Sequence, residues 1–387
     1  MLPEVQLENM VVLVVRHSSI KLILKLLNKT GLTKKVGFLL IMCWGYVIIS
    51  CDREQADYYH QIPHIEQFDE IVSVYPGIQT KRDTSILGWY ISKKDSLGLL
   101  SRVSDIVQVN SNEVWISDFI NGEVYSFNIS GKFNRKILDR GKGPNETIQP
   151  YSMGKYQGEN ETLIFILDAE QKAIIVLDKA GNEKFRSYNE NVEHRLMEAD
   201  IKVLNPTRLM FPTYNLNNYA LAEFDSKGNF KKGLIPRLIP YGFQPMAYND
   251  LTFDYSPNDN LLVYAYKGLP LIFLDKADKK TVLNLKPTKK LENLNVPLDT
   301  KPENASISVK MLVRNIFIEH SEILVTYLNH ILEISIKGNL TVRKNIFSDQ
   351  KSGKQITFHF AKNTEDFLFL IDGYRNNIYK VPKTFFN

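Results

Sequence analysis

Apolar residues along the chain fall into short runs separated by Gly, Asn, Asp and Ser, as in "DIVQVNSNEVWISD" (105–118), "ETLIFILD" (161–168) and "DFLFLID" (366–372). Runs of this length, rich in Ile, Leu, Val and Phe and bounded by turn residues, predict β-strands. Many of them end in a common pattern: "VYSFNISGKF" (124–133), "IIVLDKAGNE" (174–183), "LAEFDSKGNF" (221–230), "LIFLDKADKK" (271–280) and "ILEISIKGNL" (331–340). Each places an apolar residue four positions before a turn residue: Phe127 with Gly131, Leu177 with Gly181, Phe224 with Gly228, Leu274 with Asp278, Ile334 with Gly338. A sixth copy, "NIYKVPK", ends the chain around Val381.

The six apolar anchors are separated by 50, 47, 50, 60 and 47 residues. A period of this size belongs to propeller blades. The reading is an all-β, six-bladed β-propeller of four-stranded antiparallel blades over residues 67–387, a closed ring that leaves no long exposed sheet edge. The last unit is one strand short. A strand from the N-terminal side of the ring is expected to complete it, and "DEIVSVY", which begins at Asp69, is the segment chosen. Asp118, Asp168 and Asp372 each stand nine residues before the anchor of their unit, where side-chain bonds to nearby backbone would close a turn.

Ahead of the ring the pattern changes. Lys34 and Lys35 precede fourteen uncharged residues, Val36 to Ile49, and small Ser50 stands directly before Cys51. A basic stretch, a short apolar stretch and a small residue form the layout of a secretory signal, and the apolar run is shorter than the roughly 20 residues that cross a bilayer. Residues 1–50 are therefore read as a leader, in which 1–33 are expected to be a mis-assigned start that is not normally made, and 51–66 as Cys51 and a linker. Only Cys43 and Cys51 occur in the chain, so the segment beyond Cys51 contains no cysteine for a disulfide, a nucleophile or a thiolate metal site.

Charge follows the same division. The whole chain carries 48 basic and 43 acidic residues, but removing the six basic and two acidic residues of the first 51 leaves 42 against 41. The basic balance belongs to the leader, and no nucleic-acid partner is expected.

Ile48-Ile49-Ser50-Cys51 resembles the lipobox of bacterial lipoproteins, which implies that Cys51 is lipidated and becomes the mature N-terminus. "ILDRGKGPNETIQP", at the end of the first unit, places Gly141, Gly143, Pro144 and Glu146 as in a Gly-x-Gly-Pro-Gly-Glu motif, with Asn145 replacing the third glycine. Together with the repeat and the lipobox, this motif resembles the six-bladed, NHL-repeat-like propeller lipoproteins of Bacteroidota. The resemblance implies the propeller fold and a lipid-anchored place in the cell envelope, at the outer membrane or cell surface. It implies no particular activity. Asn accepts positive φ better than most residues, so the turn is expected to survive the replacement.

Signatures of one-segment chemistry are missing: the chain has no Walker pattern, no Gly-x-Ser-x-Gly and no His-Glu-x-x-His. His60 and His64 flank Pro63, which disfavours the helix they would need to share a metal. No cofactor is expected. Inter-blade connections gather Arg140, Lys142, Glu146, His194, Arg195, Tyr241, Phe243, Tyr248 and Lys290 towards one rim, a mixture that suits a glycan, a peptide or a partner protein of the envelope. The preferred function is a non-catalytic binding module. The alternative is a metal-dependent hydrolase or lyase working in the central channel, for which Asp105, Asp200 and Asp250 are the available carboxylates.

Overall fold

The computed structural model describes residues 67–74, 78–87, 89–91, 99–192, 200–213, 216, 218–238, 250–285, 312–319, 322–328, 330–335, 341–349, 354–372 and 377–386. Three strands precede the repeats: β1 (Glu70–Ser73), β2 (Ile78–Leu87) and β3 (Trp89–Ile91). Six sheets follow in chain order. Blade 1 contains β4 (Val103–Asn110), β5 (Glu113–Asp118), β6 (Glu123–Asn128) and β7 (Phe133–Arg140), extended by the short β8 (Glu146–Thr147). Blade 2 runs from β9 (Pro150–Gln157) through β10 (Thr162–Asp168) and β11 (Ala173–Asp178) to β12 (Glu183–Tyr188). Blade 3 comprises β13 (Lys202–Asn205), β14 (Arg208–Pro212), β15 (Tyr219–Phe224) and β16 (Phe230–Pro236). Blade 4 comprises β17 (Leu251–Ser256), β18 (Leu261–Tyr266), β19 (Leu271–Lys276) and β20 (Lys279–Asn284). Blade 5 comprises β21 (Val313–Glu319), β22 (Glu322–Tyr327), β23 (His330–Ser335) and β24 (Thr341–Asp349). Blade 6 has only β25 (Phe360–Asn363), β26 (Phe367–Asp372) and β27 (Asn377–Pro382) from the C-terminal side, and β3 supplies its fourth strand.

An N-terminal strand therefore closes the ring, but it is not the segment chosen from sequence. Trp89 pairs with Tyr379 and Ile91 with Ile378 in antiparallel fashion. The "DEIVSVY" strand, β1, instead runs parallel to the outer strand of blade 4, pairing Glu70 with Thr281 and Ser73 with Asn284. The reason is burial: Val74 joins the apolar cluster between blades 4 and 5, whereas Ile91, only 1% exposed, fills the cluster between blades 6 and 1. A short apolar strand carries no mark of which open edge it will cover.

Packing between blades explains why the strands read as almost continuous apolar runs. On β4, Ile106 packs with blade 6 while Val107 packs with blade 2; on β5, Val114 and Ile116 face blade 6 while Trp115 faces blade 2. Side chains alternate across a strand, so a sheet packed on both faces buries every position. The six anchors Phe127, Leu177, Phe224, Leu274, Ile334 and Val381 are all buried.

Turn chemistry fixes the register. Asn128, Asp178 and Asp225 each use a side-chain Oδ1 to accept backbone N–H groups two and four residues on, while Gly131, Gly181 and Gly228 adopt φ of 90°, 92° and 80°. Asp118 and Asp168 tie the hairpin they start to the crossover entering their blade: Asp118 accepts from Arg102 and Asn121 amides, Asp168 from Ile148 and Gln171 amides. Among the described residues, no helix is long and apolar enough to cross a membrane.

Candidate functional site

The inner strands β4, β9, β13, β17, β21 and β25 line the channel, and one set of polar contacts there joins all six blades. Asp105, buried on β4, receives the Met153 amide of blade 2 at 2.7 Å and the Ser152 hydroxyl at 3.3 Å. Lys362, on β25, places Nζ 3.0 and 3.1 Å from the two Asp105 oxygens and 3.5 Å from Oδ1 of Asp200, at the entrance to blade 3. Asp200 Oδ2 accepts from the Thr252 hydroxyl of blade 4 at 3.2 Å, and Thr252 Oγ1 in turn accepts the Ile316 amide of blade 5 at 3.2 Å. The Lys362 side chain thus spans from one blade to the blade opposite, as a strut across the channel.

Burial opposes charge on both ends of this strut. For Lys362 burial lowers the proton affinity, but the charges of Asp105 and Asp200 outweigh it and hold the ammonium above the ordinary lysine range. For Asp105 burial dominates and pushes the carboxyl up, against the attraction of Lys362 and the Met153 amide. Asp250 does not join them: it is paired with Lys267 at 3.3 Å, both side chains 1% exposed. Among the described residues no group of three or more His, Cys, Asp or Glu is placed to hold a metal ion. Between the two channel aspartates stands an ammonium.

Next to the strut lies a cavity of about 330 Å³, at the small end of ligand pockets. Its wall runs from Asp200 and Lys362 to Gln157 and Glu365, towards the ends of the inner strands. Ile201, Val203, Phe253 and Phe317 supply apolar surface. The charged lining is paired: Lys202 with Asp254 at 2.5 Å, and Lys155 with Glu365. Asp254 also accepts the Ile318 amide at 2.9 Å, repeating one layer along the channel the stitch that Thr252 makes to Ile316.

Of the rim residues predicted from sequence, Arg140, Lys142 and Glu146 are described, on the crossover that enters blade 2 at the start of β9. Arg140 and Lys142 are exposed there. Glu146 is turned inward on its own loop: its carboxylate accepts the Gly143 amide at 2.6 Å and would lie 2.0 Å from a Cβ at Gly141. Asn145 adopts φ 56° and exchanges bonds with Glu183, whose carboxylate is forked by Arg186 at 3.1 and 2.9 Å. Arg186 also donates to the Glu146 carbonyl at 2.8 Å, so the Gly-Lys-Gly-Pro-Asn-Glu crossover is clamped to blade 2. Cys51, His60, His64, His194, Arg195, Tyr241, Phe243, Tyr248 and Lys290 lie outside the described residues.

Sequence reading placed Asp105 and Asp200 in the channel but passed over Lys362, Lys202, Asp254, Lys155 and Glu365. A search for metal ligands looks for carboxylates and histidines, and lysine is invisible to it. The available signal was position: "FAKNTED" (360–366) occupies the inner-strand slot of the sixth unit, where a charged residue has only the channel to face.

Six blades, each built on four antiparallel strands and three of them widened by a fifth strand, around a stitched channel define a six-bladed β-propeller. The family model for DUF5128, described as a 6-bladed beta-propeller, matches residues 94–368, and the chain belongs to that family. No curated protein matches it by sequence. Solved structures to which it is similar include a candidate exported protein of Bacteroides fragilis, at 14% identity and TM-score 0.43, covering 82% of this chain and 81% of that one. A catalytically inactive virginiamycin B lyase of Staphylococcus aureus with quinupristin shares 13% identity at TM-score 0.43, covering 79% and 97%. A member of the DUF4221 family from Bacteroides vulgatus shares 10% identity at TM-score 0.43, covering 77% and 94%.

Proposed function

We propose that this propeller is a non-catalytic binding module, exported to the cell envelope, anchored through lipid on Cys51, and recognising a glycan, a peptide or a partner protein. The observation that carries the reading is the commitment of the channel's charged groups to one another. Asp105, Asp200 and Lys362 form one network, Lys202 is paired with Asp254, and Lys155 with Glu365. General acid–base or metal chemistry needs a set of groups held ready for substrate, and here the lysines and their partners join blades, leaving only Asp200 with acceptor capacity to spare towards the cavity. The leader and lipobox in the sequence support the anchoring.

Two measurements test it. Mass analysis of Cys51 peptides from native protein should find the lipid, and Cys51→Ser should move the protein from the membrane fraction to the soluble one. Purified propeller is then screened on glycan and envelope-peptide arrays, with product analysis of every hit. Binding without turnover supports the reading; turnover of a bound compound, or no binding across both arrays, overturns it.

A further inference from the structure

We infer that the channel cavity selects an organic cation, a primary ammonium or guanidinium on a short apolar stem, with Asp200 as its counter-ion. The inference rests on the binding-module reading and names the chemistry of one site within it.

The first ground is the distribution of charge. Lys202 and Lys155 each face one carboxylate, but Lys362 is divided between two. Asp105 takes the larger share, with both oxygens near 3 Å from Nζ, as well as the Met153 amide, the Ile106 amide and the Ser152 hydroxyl. Asp200 is left with a 3.5 Å contact from Nζ to Oδ1 and the Thr252 hydroxyl on Oδ2. A carboxylate in a recessed site with so little compensation attracts a second cation far more strongly than one at the surface.

Access is the second ground. Asp200 lines the cavity, and Asp105 does not. The less compensated of the two carboxylates is therefore the one a ligand meets, in a side chain 15% exposed. The third ground is the wall around it. Val203 and the edges of Ile201, Phe253 and Phe317, each otherwise buried, line the cavity together with Asp200. Apolar edges beside an anion fit an amphiphilic cation: the short stem lies against them while the head reaches the carboxylate. A cavity of about 330 Å³ holds a stem of a few methylenes and not a folded segment. The head can come from a free alkylamine or from a lysine or arginine side chain of an extended peptide.

Calorimetric titration of the purified propeller distinguishes these outcomes, using n-pentylamine, N-acetyl-lysine methylamide and an extended lysine-containing peptide, with n-pentanol and pentanoate as the neutral and anionic counterparts. The expected result is binding of at least one ammonium probe, with affinity lowered about tenfold or more for the alcohol and for Asp200→Asn. Preference for the peptide over the free amine assigns the head to a side chain; the reverse assigns it to a small molecule. Lys362→Met, which leaves both carboxylates without their shared ammonium, should bind pentylamine more tightly than the native protein, and this arm reads out even if Asp200→Asn fails to fold. Equal binding of alcohol and amine, preference for pentanoate, or no heat with any ammonium probe overturns the inference. If the amines fail while an array glycan binds elsewhere, the binding-module reading stands and this site assignment alone is lost.

Discussion

The ammonium of Lys362, on the inner strand of blade 6, lies 3.5 Å from Oδ1 of Asp200 at the entrance to blade 3, on the opposite side of the ring. The same ammonium contacts both oxygens of Asp105 in blade 1, so a single side chain ties three blades.

Lys362→Met should lower stability by about 3 kcal/mol at neutral pH, because it leaves two recessed carboxylates without their shared counter-ion. Asp105 already titrates above the ordinary aspartate range through burial, and without Lys362 it would rise further. A carboxyl with a raised folded pKa favours folding at low pH and loses that advantage as pH rises. The deficit of the variant, measured by urea unfolding, should therefore shrink as pH is lowered from 8 towards 5.

Glu183 gives the opposite sign. Its bond with Arg186 holds the carboxyl below the ordinary value of 4.5, with burial opposing and the Asn145 amide assisting. Such a group stabilises the fold above its unfolded pKa, and the contribution disappears as pH falls through the lowered folded value. Glu183→Gln should cost about 2 kcal/mol at pH 7, and denaturation curves of the variant and native protein should converge below the ordinary glutamate range.

Gly122 has φ 68°, and a Cβ there would lie 2.4 Å from the Ile148 carbonyl oxygen, which is backbone and has nowhere to move. At Gly181, with φ 92°, the nearest atom to an added Cβ is 3.4 Å away on a side chain. Thermal unfolding should separate the two: Gly122→Ala should cost about 3 kcal/mol, and Gly181→Ala about 1 kcal/mol from backbone strain alone.

Ring closure depends on β3 more than on β1. Ile91→Ala removes side-chain atoms from a site 1% exposed between blades 6 and 1 and should cost about 3 kcal/mol, lowering the single cooperative transition seen by calorimetry. Replacing Glu70 by Pro, at the start of β1 on the outside of blade 4, should shift that transition less, since β20 keeps its antiparallel partner β19.

Local physics made the strands and their period readable from the chain. The two-residue alternation on β4 and β5, the Asx turns at Asn128, Asp178 and Asp225, and the crossover turn at Asn145 all depend on residues close in sequence, so their signals lie in short windows. Six copies of one apolar anchor then give six blades, because a β-sheet with two apolar faces must be covered on both sides. The channel is different. Asp105 and Lys362 are 257 positions apart, and Lys362 and Asp200 are 162 apart. Only closure of the ring brings them together, and the strand that closes it, β3, is too short to announce its partner. The amino-acid sequence by itself determined the repeating unit and its number. The tertiary structure decided which strand seals the ring and which charges meet at its centre, because both follow from distances that local pattern cannot encode.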